Sequence, residues 1–199
     1  MAKYQEAFKK LIEKEGGYVN HPNDRGGETY KGIARRHWPH LPVWRMIDPV
    51  VKKHKGNASL VNKELENNKE VQTHVENFYR SHFWNRVNAD KIDNWRIANH
   101  LFFQAVHTGH RSASRRMQEA CNYLIGVTRA ARWERLTADG IIGPKTISVI
   151  NKIDDVRLSD VLLYELRVSE VIRFKAIIER DESQRGFYAG WTRRVFTKL

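Results

Sequence analysis

Cysteine is nearly absent from this 199-residue chain, in which Cys121 stands alone. A single cysteine cannot form an internal disulfide, so we expect folding that does not depend on oxidation. Cys121 shares a helical face with Met117 and Leu124, which favours a buried, unreactive thiol over a nucleophile. The sequence also lacks an apolar run long enough to span a membrane, and the apolar run and small-residue cleavage site of a signal peptide. We therefore expect synthesis in the cytoplasm and no stable membrane insertion.

Acidic residues are too few to balance the basic ones. Lys and Arg number 35 against 23 Asp and Glu, which gives a formal net charge of +12. Such a charge attracts polyanions such as nucleic acid, an anionic membrane surface or an acidic polysaccharide. The basic residues are spread over every predicted helix, and no helix-turn-helix or zinc pattern occurs, which argues against a nucleic-acid partner. No HExxH motif is present, and His107 and His110 lack a third ligand, so we expect neither a metal nor another cofactor.

Extended alternation of polar and apolar residues is also missing, which predicts a mainly helical, α+β fold. The Gly- and Asn-rich segment 18–34 predicts a loop region with a small hairpin after the first helix. Helical periodicity and capping residues predict six further helices. Two of them cover residues 64–84 and 159–182, and another ends at Gly109. The remaining three begin at Asp48–Pro49, at Ser112 and at Pro144. The apolar positions of the last helix include Leu162, Leu166, Ile172 and Ile178.

The most informative segment of the chain is EKEGGYVNHPNDRGGETYKGIA, residues 13–34. The helix before it has one apolar face, formed by Tyr4, Phe8, Leu11 and Ile12. Helical spacing predicts that Glu15 points into this face and that Gly16 and Gly17 end the helix. An apolar surrounding and the negative end of the helix dipole would both raise the pKa of Glu15, which suits a general acid. The alternative is a structural Glu15, in solvent or paired with an arginine.

Two further side chains complete the minimal set for glycosidic hydrolysis. Two carboxyl groups must flank the cleft, one to protonate the leaving oxygen and one to stabilise positive charge on the sugar or to activate water. Asp24 is a candidate for the second carboxyl group, with Glu28 as its rival, and the Thr29 hydroxyl could hold the water. The structural alternative for Asp24 is an Asx-type turn. Gly27 would let the backbone approach a ligand closely.

The same segment resembles the signature of glycoside hydrolase family 108, the N-acetylmuramidases found in phages, prophages and bacterial secretion-activator proteins. That signature reads roughly Glu-Gly-Gly-Tyr, then Asn-x-Pro-x-Asp-x-Gly-Gly, then Thr and Lys or Tyr before Gly-Ile. The resemblance implies that Glu15 is the catalytic acid. The segments FYRSHFWNRV, FFQAVHTGH, DGIIGPKT and GFYAGWTRRV are similar to later parts of the family pattern, so the resemblance covers most of the chain. It implies a lysozyme-like catalytic region over 1–110 and a helical, peptidoglycan-binding-type region over 111–199.

The order of Glu15, Asp24 and Thr29 also resembles phage T4-type lysozyme, although the spacings differ by a residue. One departure from the family pattern concerns Asp24, because Arg25 follows it where the family often has proline. A neighbouring cation should lower the pKa of Asp24 and keep it ionised, which suits an electrostatic or base role.

We expect five residues to bind the substrate, namely Tyr18, Gly27, Tyr30, Lys31 and Trp84. The three aromatic rings could stack on sugar faces, although a position in the core is the alternative for each of them. Their expected ligand is the glycan strand of peptidoglycan, whose carboxylates would be attracted by the basic surface.

The resemblance implies hydrolysis of the β-1,4 bond between N-acetylmuramic acid and N-acetylglucosamine, with Glu15 as general acid. Two alternatives stay open: a lytic transglycosylase, and a non-catalytic protein that binds the wall or assists secretion. Action at the cell wall or periplasm would require a holin or a secretion apparatus for export.

Overall fold

The computed structural model describes residues 4–13, 15–20, 27–127 and 133–196. Within these residues the helices are Tyr4–Ile12 (α1), Val43–Lys53 (α2), Ala58–Asn67 (α3), Lys69–Tyr79 (α4), Trp95–Thr108 (α5), His110–Val127 (α6), Pro144–Asp155 (α7), Ser159–Arg180 (α8) and Tyr188–Phe196 (α9). Three short strands, Tyr18–Val19 (β1), Thr29–Tyr30 (β2) and Ile33–Ala34 (β3), form a sheet. The expected mainly helical fold with a small β region after the first helix is confirmed.

The internal contacts divide the chain into two units. The first unit is Gln5–His82, and the second unit consists of Met1–Tyr4 and Phe83–Leu199. The family resemblance implies a boundary near residue 110 between a catalytic and a peptidoglycan-binding-type region. That boundary is drawn by function and not by internal contacts, and it stays a prediction.

The sheet is antiparallel, in the order β1-β2-β3. Tyr18 pairs with Tyr30 across β1 and β2, and Tyr30 pairs with Ile33 across β2 and β3. These three side chains are buried. Lys31 and Gly32 form the two-residue turn between β2 and β3 with φ values of +44° and +75°, the backbone signs of a type I′ hairpin turn.

The helix predicted over 64–84 is interrupted, so this prediction is wrong in its boundaries. α3 ends at Asn67 and α4 begins at Lys69. Between them, Asn68 has an extended backbone, and its side chain accepts hydrogen bonds from the N–H groups of Glu70 and Val71. The Asn68 side chain thus replaces the helical partners of the first turn of α4, which is why asparagine favours helix starts over helix interiors. A π-helical turn over Arg80–Trp84 follows α4.

The helix predicted to start at Asp48 begins earlier, at Val43, and contains Pro49 in its interior. Asp48 does not cap it, because its carboxylate binds the guanidinium of Arg35. The longer helix buries one apolar face, formed by Val43, Trp44, Ile47 and Val50. Burial of this face compensates for the helical hydrogen bond that Pro49 cannot donate.

The helices of the second unit agree more closely with the sequence pattern. Gly109 ends α5 with a φ of +82°, and Pro144 is the first residue of α7. Ser112 does not cap α6, because α6 already begins at His110. Cys121 is buried in α6, and burial raises the pKa of its thiol to about 12, in agreement with the expected unreactive cysteine.

A buried glutamine of α6 fixes the segment that leads into α7. The Gln118 amide donates to Asp139 Oδ1 at 2.8 Å and to the carbonyl oxygen of Ile141 at 3.0 Å. Its oxygen accepts from the N–H of Gly140 at 2.9 Å. One side chain therefore satisfies the backbone of the turn at Asp139–Gly140.

Among the helices of the described residues, none has the length and hydropathy that crossing a membrane requires.

Candidate active site

Glu15 lies on a loop, outside the helix in which the sequence pattern placed it. α1 ends at Ile12, and the N–H of Glu15 donates to the carbonyl oxygen of Ile12 at 3.2 Å, across a turn tighter than an α-helical one. The prediction that Glu15 occupies the last turn of the helix is therefore wrong. Its side chain is half-buried. The surroundings of Glu15 come from elements that are distant in sequence.

Gly32 and Tyr79 define the position of the Glu15 carboxyl group. A Cβ atom at Gly32 would lie 2.6 Å from Glu15 Oε2 and 2.6 Å from Tyr79 Oη, so the two oxygens share one small space beside this glycine. The Tyr79 hydroxyl donates to the carbonyl oxygen of Lys31 at 2.7 Å. The turn between β2 and β3, the end of α4 and the loop after α1 thus meet at Glu15.

The loop that carries Glu15 is anchored by Asn62 of α3. The Asn62 side chain accepts from the N–H of Tyr18 at 2.5 Å and donates to the Tyr18 carbonyl oxygen at 3.4 Å. The same side chain lies so close to Gly17 that a Cβ atom there would overlap with it. The N–H of Lys31 donates to the carbonyl oxygen of Gly17 at 3.4 Å. Gly17 therefore leaves room for the Asn62 side chain, which a Cβ atom at this position would displace. The sequence pattern predicts a different role for Gly17, as part of the helix stop.

Glu28, the rival second carboxylate, belongs to a network of charged side chains. It accepts from Arg35 at 2.8 Å and from the Tyr18 hydroxyl at 2.9 Å. Burial, followed by the hydrogen bond to Glu28, raises the pKa of Tyr18 to about 12. Arg35 also binds Asp48, and this hydrogen bond holds the pKa of Asp48 below its usual value. The network joins the sheet to α2.

Lys31 and Thr29, two more predicted site residues, also have partners within the first unit. Lys31 Nζ donates to Gln72 Oε1 at 2.8 Å, and burial lowers the pKa of this lysine. The Gln72 amide donates in turn to the Tyr30 hydroxyl at 2.9 Å. The Thr29 hydroxyl donates to the carbonyl oxygen of Gly27 at 3.3 Å. Lys31 is thus directly linked to the site through its carbonyl oxygen, while its ammonium group is directed to Gln72 of α4.

The three aromatic rings expected to stack on sugars are buried. Tyr18 is 2% exposed, and Tyr30 and Trp84 are 0% exposed, so none presents a ring face. Trp84 lies in the second unit, packs against Tyr4 and Phe102, and donates its indole N–H to Asp90. The stacking prediction is contradicted by this burial, and the alternative, that all three belong to the core, holds.

Asp24 lies outside the residues that the structure describes, so its role stays a prediction from the sequence. Gly32, Asn62 and Tyr79 are not among the site residues that the sequence predicts. In the sequence Tyr79 is one more apolar position of a helix, and no local signal shows that its hydroxyl reaches Lys31. In the described part of the chain, no three His, Cys, Asp or Glu side chains are grouped so that they could hold a metal ion.

An open groove of about 540 Å³ runs along α1 and includes Glu76 of α4. Phe8 and Ile12 form its apolar part, and Glu6, Glu13 and Glu76 are among its other lining residues. The Phe8 ring packs against the ring of Tyr79 with 6.0 Å between centroids.

A half-buried glutamate held beside a tyrosine hydroxyl, on a loop of a helical fold with a small sheet, defines a candidate acid-base site. The family model described as Glycosyl hydrolase 108 matches residues 8–109, which contain all of these residues. The chain therefore belongs to glycoside hydrolase family 108. A second family model, described as a predicted peptidoglycan domain, matches residues 112–196. Together the two matches support peptidoglycan hydrolase activity in general, with peptidoglycan as the partner.

A solved structure entitled "Structure of Brucella abortus SagA" is similar to this chain over 96% of its length and 88% of the other chain. The two chains are 24% identical, with a TM-score of 0.61, which establishes a shared fold. A comparison with curated proteins found no match.

Proposed function

We propose that this protein is an N-acetylmuramidase that hydrolyses the β-1,4 bond between N-acetylmuramic acid and N-acetylglucosamine, with Glu15 as the general acid. The observation that carries this proposal is the placement of the Glu15 carboxyl group beside Gly32 and Tyr79. This placement lies within the segment that matches the glycosidase family.

In the proposed reaction Glu15 gives its proton to the glycosidic oxygen as the bond from that oxygen to the anomeric carbon breaks. The departing sugar keeps the proton as a new hydroxyl group. Water then adds to the positively charged anomeric carbon and loses a proton to a carboxylate. Asp24 is our candidate for the carboxylate that stabilises this charge or activates the water, and Thr29 is our candidate for holding the water.

Tyr79 supports the acid role of Glu15. A tyrosine hydroxyl has one proton, and that of Tyr79 is donated to the Lys31 carbonyl oxygen. The Tyr79 hydroxyl therefore has no second proton to donate to a Glu15 carboxylate, so the ionised form of Glu15 gains no hydrogen bond from it. A protonated carboxyl group is the form from which a general acid acts.

Glu28 is better suited to a structural role than to the role of the second carboxylate. Its two oxygens already accept from Arg35 and from Tyr18. With both oxygens bound to donors of the protein, this carboxylate is not free to bind an attacking water or to face the charged sugar. We therefore assign Glu28 to holding the sheet against α2.

Delivery to the wall is the second part of the proposal. Peptidoglycan lies beyond the cytoplasmic membrane, and we expect a holin or a secretion apparatus to give the enzyme access to it. The region over 112–196 would hold the enzyme on its substrate, in keeping with its family match.

The test is digestion of purified peptidoglycan by the wild type, Glu15→Gln and Glu13→Gln, with the products identified by mass spectrometry. Glu13 is an exposed acid two residues away, so its variant controls for loss of one charge in the same loop. We expect reducing muropeptides from the wild type and from Glu13→Gln, and a rate at least about a hundredfold lower for Glu15→Gln. Circular dichroism establishes that each variant is folded.

Two outcomes would overturn the proposal. Anhydro-muropeptides from the wild type would assign a lytic transglycosylase, which needs the same acid but no attacking water. Intact peptidoglycan after incubation with a folded, wall-binding wild type would leave a non-catalytic wall-binding protein.

A further inference from the structure

Gln72 of α4 makes side-chain hydrogen bonds to three other parts of the first unit. Its oxygen accepts from Lys31 Nζ, in the turn between β2 and β3, at 2.8 Å. Its amide nitrogen donates to the Tyr30 hydroxyl of β2 at 2.9 Å and to the carbonyl oxygen of Leu65 in α3 at 2.7 Å. One half-buried side chain therefore ties β2 and the turn that follows it to α3 and α4.

The chemistry of these partners fixes the orientation of the Gln72 amide. An ammonium group only donates and a carbonyl oxygen only accepts, so the amide oxygen must face Lys31 and the nitrogen must face Leu65. Both N–H protons of Gln72 are then in use, which leaves this side chain no donor for a sugar hydroxyl group. Gln72 is therefore suited to holding the turn and not to binding a glycan.

The turn that Gln72 holds is the one that places Gly32 against Glu15. A Cβ atom at Gly32 would lie 2.6 Å from Glu15 Oε2. Lys31, the residue before Gly32, has a φ of +44°, a left-handed conformation that is unfavourable for a residue with a side chain. Such a conformation persists only where the surrounding contacts hold it.

The polar groups of Lys31 are bound by different parts of the first unit. Its N–H donates to the carbonyl oxygen of Gly17 at 3.4 Å, its carbonyl oxygen accepts from the Tyr79 hydroxyl at 2.7 Å, and its ammonium group donates to Gln72. Gln72 and Tyr79 are seven residues apart, which places them two turns from each other on the same face of α4. This face of α4 therefore holds Lys31 through both its side chain and its backbone.

We propose that Gln72 is a positioning residue for Glu15. It acts through Lys31 and Tyr30, whose hydrogen bonds keep the turn in the conformation in which Gly32 bounds the space of the Glu15 carboxyl group. This inference rests on the proposed function, in which Glu15 is the general acid. Without the hydrogen bonds of Gln72 the left-handed turn relaxes, Gly32 moves, and the carboxyl group is held less firmly and is reached by more water.

The first experiment compares the kinetics of Gln72→Met and of the wild type on soluble, uncrosslinked peptidoglycan strands. Methionine resembles glutamine in shape but has no N–H group and only a weak acceptor, so the change removes hydrogen bonds and keeps the packing. We expect kcat to fall at least about tenfold, because a displaced acid slows the reaction step. KM should change less than about twofold, whereas loss of a substrate contact would raise KM and leave kcat unchanged.

Asn68→Ala is the matched control, because the Asn68 side chain caps the same helix through the N–H groups of Glu70 and Val71. This variant should lose stability and keep the kcat of the wild type at a temperature at which all variants are folded. Lys31→Met is a second variant, which removes the bond between Lys31 and Gln72 from its other side. It should also lower kcat, and the double variant should be no slower than the slower single variant, since both changes break one contact.

A second experiment measures the surroundings of the Glu15 carboxyl group without relying on turnover. NMR titration of carboxyl-labelled glutamates gives the pKa of Glu15 in each variant, and the missing signal of Glu15→Gln assigns the resonance. Exclusion of water raises the pKa of a carboxyl group. In Gln72→Met we therefore expect the pKa of Glu15 to lie closer to that of an ordinary glutamate than in the wild type, and in Asn68→Ala we expect no change.

Three results would overturn the proposal. These are equal kcat values for Gln72→Met and Asn68→Ala, a raised KM with unchanged kcat in Gln72→Met, and a Glu15 pKa that is the same in Gln72→Met and the wild type. A wild type that cleaves no peptidoglycan would contradict the proposed function, and the titration would then decide the positioning role by itself. In that case a changed Glu15 pKa in Gln72→Met would support the role, and an unchanged one would refute it.

Discussion

At the scale of single residues, the site depends on two glycines, whose missing Cβ atoms let polar side chains lie against the backbone. Glu15 and Tyr79 share the space beside Gly32, and Asn62 packs on Gly17. Each of these glycines admits a polar group that would otherwise be displaced. The position of Glu15 therefore depends on the two glycines as much as on the side chains around it.

Replacement of Gly32 by alanine should separate activity from stability. Gly32 has a φ of +75° and Gly56 a φ of +76°, so alanine should cost each about 1 kcal/mol of stability through backbone strain. Only at Gly32 does the new methyl group meet Glu15 and Tyr79, whereas no atom lies within 4 Å of a Cβ at Gly56. We expect Gly32→Ala to lose at least about tenfold in peptidoglycan hydrolysis and Gly56→Ala to keep its activity.

The measurement is the initial rate of digestion at a temperature at which both variants are folded, together with the urea midpoint of each. Equal activities for the two variants would show that activity does not depend on the space beside Gly32 that holds the Glu15 carboxyl group.

At the scale of secondary-structure elements, the joints between helices depend on individual capping side chains. The break between α3 and α4 rests on Asn68, which accepts from two backbone N–H groups of α4. The apolar periodicity runs through this break, with Leu65 and Val71 buried on either side of it. Periodicity therefore predicted one helix, and the capping contact made two.

The capping role of Asn68 predicts a difference between two neighbouring asparagines. Asn68→Ala should lower the free energy of unfolding by about 1 kcal/mol, because two N–H groups lose their acceptor. The Asn67 side chain is exposed and donates to the Lys63 carbonyl oxygen within its own helix. Asn67→Ala should therefore change stability by less than about 0.5 kcal/mol. Urea unfolding followed by fluorescence measures both, and an equal loss for the two variants would contradict the capping role.

At the scale of the whole molecule, the net charge of +12 and the two family matches point to the same partner. Peptidoglycan carries carboxylates on its lactyl groups and peptides, so a basic protein is attracted to it over distances of about a Debye length. This attraction acts on the encounter with the wall and adds nothing to the choice of the bond that is cleaved.

Binding to insoluble peptidoglycan should therefore weaken as salt is added. The Debye length falls from about 10 Å at 0.1 M salt to about 3 Å at 1 M. We expect at least about tenfold weaker binding over this range, measured with Glu15→Gln, which our proposal predicts to be inactive. Sedimentation of the protein with purified walls measures it. Neutral chito-oligosaccharides are the control ligand and should bind with little dependence on salt. The same salt dependence for both ligands would rule out attraction to the wall carboxylates.

The sequence by itself determined the mainly helical class, the small β region after the first helix and the helices that begin at Pro144 and Ser159. These features depend on local periodicity, on proline and glycine, and on contacts between neighbours in sequence. Family resemblance also singled out Glu15 and its segment. The local pattern, however, places Glu15 on a helix face, which the structure contradicts. The rings of Tyr18, Tyr30 and Trp84, which were expected to stack on sugars, are buried.

Only the tertiary structure decided what surrounds Glu15. Gly32 is 17 residues away along the chain and Tyr79 is 64 away, and the anchor of the loop, Asn62, lies on yet another helix. Such neighbours are brought together by the packing of the first unit, which the spacing of residues within one helix or strand does not predict. The same reason applies to α8, because only the tertiary structure shows which of its apolar residues are buried and which, such as Tyr164 and Ile172, are exposed.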